Sequence, residues 1–103
     1  LICGLAAGAD GAIGSTYNMM LPLYKQLLKA FNDGDMNKAT EIQYKANSVT
    51  TKLMNHSVLP AIKHCLETIG FEVGNATYPM RWLSDEEKSI INAEMKEVGW
   101  PFK

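Results

Sequence analysis

The sequence predicts an α/β chain that is mostly α-helical and carries one short strand. Three observations predict it. Apolar residues recur every three or four positions along most of the chain beyond Asn18. A glycine-punctuated stretch, Gly8–Asn18, interrupts that pattern with the small apolar pair Ala12-Ile13. The whole has 103 residues, 47% of them hydrophobic, which is material for one small domain.

The elements follow in order. Leu1–Ala7 is an apolar helix-like run without a preceding cap, and Gly8 ends it because a left-handed C-cap costs glycine nothing sterically. Asp10-Gly11 is turn chemistry. Ala12–Ser15 then reads as a short strand covered on both faces, after which Gly14-Ser15-Thr16-Tyr17-Asn18 opens into a helix with hydroxyls, a phenol and an amide. Met20, Tyr24, Leu27, Leu28 and Phe31 make Asn18–Asn32 an amphipathic helix, which Asp33-Gly34 ends.

Asp35 is a suitable N-cap for the next helix, Met36–Asn55, whose narrow seam is Ala39, Ile42, Ala46, Val49 and Leu53. His56-Ser57 breaks it. Val58, Ile62, Cys65, Leu66 and Ile69 define another helix, with Pro60 tolerated in its first turn and Gly70 at its end. Residues 71–82 are irregular, punctuated by Gly74 and Pro79. Ser84-Asp85-Glu86-Glu87 is a capping box that opens a final helix with Ile91, Met95 and Val98 inside, and Gly99-Trp100-Pro101 closes it. Trp82 and Trp100, on either side of that helix, are expected to pack it onto the rest.

Composition excludes several classes of function. A net charge of −1 with interspersed signs leaves no electrostatic footprint for nucleic acid or an anionic membrane surface. No apolar run approaches the roughly 20 residues that span a bilayer. Cys3 and Cys65 both lie in apolar helical contexts and are expected to be buried free thiols, which suits a reducing cytoplasm. His56 and His64 have no carboxylate or cysteine partners at metal-ligand spacing. A chain opening inside an apolar helix without Met is expected to be the C-terminal piece of a longer protein.

The run Gly8-Ala9-Asp10-Gly11-Ala12-Ile13-Gly14-Ser15-Thr16-Tyr17-Asn18 resembles the last barrel strand of the N-acetylneuraminate lyases, a branch of the dihydrodipicolinate synthase superfamily of (β/α)8 class I aldolases. The resemblance continues without gaps through Phe31-Asn32-Asp33-Gly34-Asp35 and more loosely to about Pro79. A whole (β/α)8 TIM barrel needs about 250 residues, so the resemblance implies its C-terminal part: the end of the barrel at residues 1–33 and a helical extension at 34–103.

It also implies an activity, the cleavage of N-acetylneuraminate to pyruvate and N-acetylmannosamine through a Schiff base. No metal or organic cofactor takes part, and the parent enzyme is a homotetramer. Ser15 and Ile13 are then substrate-binding, Ile13 through its backbone, with Gly14 between them leaving room for close approach. Leu59 falls near the pocket rim.

Each of these residues has a plainer reading. Ser15 could cap the following helix, Gly14 could serve crowded strands, and Tyr17 and Asn18 are assigned to loop packing and helix entry. The chain supplies no catalytic residue of its own: Lys25, Lys29, Lys38, Lys45, Lys52, Lys63, Lys88 and Lys96 lie in polar helical stretches and Lys103 is terminal. The amine of such an aldolase must be desolvated in a strand environment. Two rival readings are a non-catalytic helical interaction module and an anion-binding domain that uses the glycines at positions 8, 11 and 14.

Overall fold

The computed structural model describes residues 1–103. Five helices follow one another: α1 (Ile2–Ala6), α2 (Tyr17–Asn32), α3 (Met36–Met54), α4 (Val58–Thr68) and α5 (Asp85–Glu97). The short Asp33-Gly34-Asp35 turn folds α3 back along α2 as an αα-hairpin. Asp35 caps α3 by accepting the Lys38 amide proton at 2.9 Å.

The hairpin is where the apolar stripes meet. Met20, Leu23, Leu27 and Ala30 of α2 join Ala39, Ile42, Ala46, Val49 and Leu53 of α3 in one buried cluster. The side chains of Ala39 and Ala46 are small, which lets the two backbones approach closely. Ala61, Ile62 and Cys65 from α4 and Ile91 and Met95 from α5 extend the same core. Burial pushes the Cys65 thiol up to about 11.

Helix ends follow from local chemistry. Gly70 takes φ +97°, and beside it the Phe71 amide reaches back to the Leu66 carbonyl and the Gly70 amide to that of Glu67, which is a Schellman cap. Gly8, Gly34 and Gly99 close α1, α2 and α5 with the same pair of bonds. At the start of α5 the capping box forms in full: the Glu87 amide donates to Ser84 Oγ, and the Ser84 amide to the Glu87 carboxylate at 2.8 Å. The Arg81 guanidinium, together with that amide, holds the Glu87 carboxyl at about 2, well below the usual carboxylate range.

Three expectations are corrected. No strand forms at Ala12–Ser15: residues 10–13 make no backbone hydrogen bond at all, because a strand needs an edge to pair with and this chain supplies none. Cys3 is exposed, since α1 is only five residues long and buries none of them. Trp82 does not pack α5; it is 67% exposed, and its indole donates to the Ala76 carbonyl within its own loop. Trp100 is buried as expected, its indole N–H donating 2.9 Å to the Met19 carbonyl. That carbonyl lies where α2 leaves helical geometry at Met20 (φ −120°), just before Pro22. Proline has no N–H for the ladder and crowds the carbonyl four residues back.

Candidate functional site

Residues 10–18 run between two clefts. On one side Asp10, Gly11 and Ala12 line a space of about 210 Å³ with apolar residues of α1 and α2. On the other, Ser15 and Asn18 line a larger space of about 460 Å³. Its far wall is α4, through Leu59, Ile62, Lys63 and Leu66, and the irregular segment after α4, through Phe71, Val73, Ala76 and Met80. The lining is mostly apolar, with a hydroxyl, an amide and a single ionisable group, the Lys63 amine. An apolar cleft with few polar groups is the usual architecture of a small-molecule site.

Backbone contacts settle how Ser15 is presented. Its carbonyl accepts the Asn18 side-chain amide at 3.0 Å and the Asn18 backbone amide at 3.3 Å. The N-cap of α2 is Thr16, and no side chain caps this helix. The Ser15 hydroxyl is therefore not used as a cap; it is exposed at the cleft. Asn18 has both jobs, holding the turn and lining the cleft.

The other two residues singled out with Ser15 lie elsewhere. Ile13 is fully exposed and borders neither cleft, so the structure does not bring its side chain to Ser15. Gly14 is half-buried beneath the Tyr17 ring, where an added Cβ would sit in ordinary contact at 3.5 Å. Tyr17 in turn packs edge-on against Tyr24 with ring centroids 4.2 Å apart. Burial, and then the neighbouring Tyr24, raise the pKa of its phenol. Tyr17 is thus a packing residue that closes over the glycine.

Amides at the start of α2 would have to be free to hold an anion, and they are engaged. Those of Tyr17, Asn18 and Met19 donate to Gly14, Ser15 and Thr16 carbonyls at 3.2 to 3.3 Å. Both histidines also have protein partners. His56 Nε2 donates to the Glu94 carboxylate at 2.6 Å, and His64 Nε2 to the Asn92 side-chain carbonyl at 2.9 Å.

Leu59, singled out by the resemblance, lines the same cleft as Ser15. Sequence reasoning missed Lys63 and the wall formed by Val73, Ala76 and Met80. A signal existed for the lysine: it lies four residues after Leu59 and three before Leu66, on one face of α4. The wall has no periodicity to betray it.

Residues 2–98 match the model of the dihydrodipicolinate synthetase family. The chain is 35% identical over 80 residues to the N-acetylneuraminate lyase of Lactiplantibacillus plantarum, covering 78% of this chain and 27% of that one. It is 45% identical over 67 residues to N-acetylneuraminate lyase 2 of Escherichia coli, covering 65% and 22%. The solved N-acetylneuraminate lyase of Proteus mirabilis superposes with a TM-score of 0.88 at 33% identity, covering 97% of this chain and 34% of that one. The chain thus spans about a third or less of the length of these proteins.

Proposed function

The chain belongs to the dihydrodipicolinate synthetase family, and from that premise we propose that it forms one wall of the substrate pocket of a Schiff-base lyase. The enzyme cleaves N-acetylneuraminate to pyruvate and N-acetylmannosamine, and its reacting lysine lies outside these residues. In this reading residues 1–33 complete a (β/α)8 barrel and 34–103 form its helical extension. The observation that carries it is the position of Ser15 within GADGAIGSTYN, exposed and lining the 460 Å³ cleft together with Leu59.

The division of labour follows from chemistry. A Schiff base needs an amine that presents a free lone pair to the ketone from a water-poor site. Lys63, the one lysine in the cleft, instead donates to the Val73 carbonyl at 2.8 Å. Ser15 offers a neutral donor and acceptor, suited to a hydroxylated sugar chain. Fixing that chain orients the reacting carbon without taking part in bond breaking. The exposed Ile13 and the unpaired residues 10–13 suit a strand completed by neighbours from the remainder of a barrel.

The test is pyruvate release from N-acetylneuraminate by the intact protein, with Ser15→Ala beside it. Cleavage is expected. The substitution should lower kcat/KM about 2- to 13-fold, the loss of one hydrogen bond worth roughly 0.5–1.5 kcal/mol, and leave imine formation with pyruvate unchanged. Intact protein that releases no pyruvate overturns the reading.

A further inference from the structure

Residues 72–79 have no regular structure, yet they build one side of the cleft through Val73 and Ala76. Their own backbone bonds are local: Val73 to the Phe71 carbonyl, and Met80 to that of Thr77. The Trp82 indole on the Ala76 carbonyl is local too. One hydrogen bond alone joins this stretch to a helix, from Lys63 Nζ to the Val73 carbonyl at 2.8 Å.

Lys63 is half-buried, and its amine pairs with no carboxylate; the ion pairs of the chain engage Lys29, Lys38, Lys52, Lys88, Arg81 and His56 instead. A lysine beside apolar surface ordinarily extends its head toward water or a counter-charge. Here the head turns to a main-chain carbonyl, and a bond from a charged donor is stronger than one between neutral groups.

We infer that Lys63 is a positioning residue for the sugar end of the substrate: by holding the Val73 carbonyl it sets the 72–79 wall against α4 and fixes the shape of the cleft that Ser15 faces. The inference rests on the lyase reading for its substrate, but the tether itself does not. Without the ammonium the wall has no polar link to the helices, and the part of the cleft that Val73 and Ala76 line is held less firmly. The sugar end is then held less well. Imine formation at the keto carbon, which depends on another lysine, continues.

The experiment compares the intact wild-type protein with Lys63→Met, which keeps the apolar stem and removes the donor, and Lys63→Arg, which restores a donor. Lys63→Leu, which also lacks a donor, takes the place of the Met variant should that fail to fold. KM for N-acetylneuraminate should rise in Lys63→Met by up to about 13- to 160-fold, the range expected for one lost hydrogen bond from a charged donor. The kcat and borohydride trapping with pyruvate should stay within about twofold, since that bond is not made to the reacting groups. Limited proteolysis between Val73 and Met80 should accelerate by a similar factor, and Lys63→Arg should recover most of both effects. An unchanged proteolysis rate overturns the tether. Faster proteolysis with an unchanged KM overturns the positioning role. Wild-type protein that cleaves no N-acetylneuraminate overturns the lyase reading instead, and the proteolysis comparison still decides the tether.

Discussion

The helical body and the Gly8–Asn18 segment are built in opposite ways. In the body, Met20, Leu27, Val49, Leu53 and Ile91 are fully buried, and each helix finds a partner within the chain. In the segment, residues 10–13 bond to nothing and Ile13 is fully exposed. The first region is stabilised by contacts its own sequence supplies. The second carries the run on which the family resemblance rests, and its Ile13 side chain has no cover here. A segment can therefore carry a distinctive sequence run and still make few contacts with the helices of its own chain.

The contrast can be broken most directly by truncating one side chain in each region. Leu53→Ala should destabilise the chain by about 2–5 kcal/mol in urea unfolding, since a leucine in a closed core leaves a cavity. Ile13→Ala in the same chain should shift stability by less than about 0.5 kcal/mol, as expected of a surface position. A large loss at Ile13 would mean that residues 10–13 are packed in solution. Trp100→Phe comes next. It keeps an aromatic ring of smaller volume but leaves the buried Met19 carbonyl without its 2.9 Å donor, at a cost of about 1–3 kcal/mol for the unpaired group. An unaffected unfolding midpoint would show that water serves the kink equally well.

The α5 cap gives a smaller effect with a defined pH window. Ser84→Ala removes the oxygen that accepts the Glu87 amide, and a lost cap costs typically about 1 kcal/mol. Glu87 ionises at about 2 in the folded chain, against 4.5 ordinarily, because Arg81 and the Ser84 amide hold its carboxylate. A lowered folded value means that the stabilisation is present above about 4.5 and is lost as pH falls toward about 2. Helicity at α5 should decline through that window in the wild type. In Glu87→Gln the decline should be absent, and its persistence would assign the acid sensitivity to another carboxylate.

Much of the fold was legible in the sequence, and for a physical reason. The seam Ala39, Ile42, Ala46, Val49, Leu53 is buried throughout, and the Asp35 and Ser84 caps and the Gly70 terminus form as their residue types dictate. These are local signals, complete within a few residues. The kink at Met20 was not anticipated, although Pro22 lies two residues beyond it. The strand failed because pairing is a property of two segments and only one is present. Leu28 was placed inside by its spacing but is 41% exposed; its face turns to the smaller cleft. Among the residues lining the larger cleft, Ser15 and Leu59 are singled out through the family resemblance, whereas the Lys63 tether depends on an irregular loop returning to α4.

The central claim is that this chain binds the sugar acid while a lysine elsewhere does the chemistry. Borohydride reduction of the intact protein in the presence of pyruvate, followed by peptide mass mapping, tests it most directly. The account predicts a single pyruvyl-lysine adduct outside residues 1–103, with all nine lysines of this chain unmodified. A specific adduct on any of the nine, Lys63 above all, would contradict it.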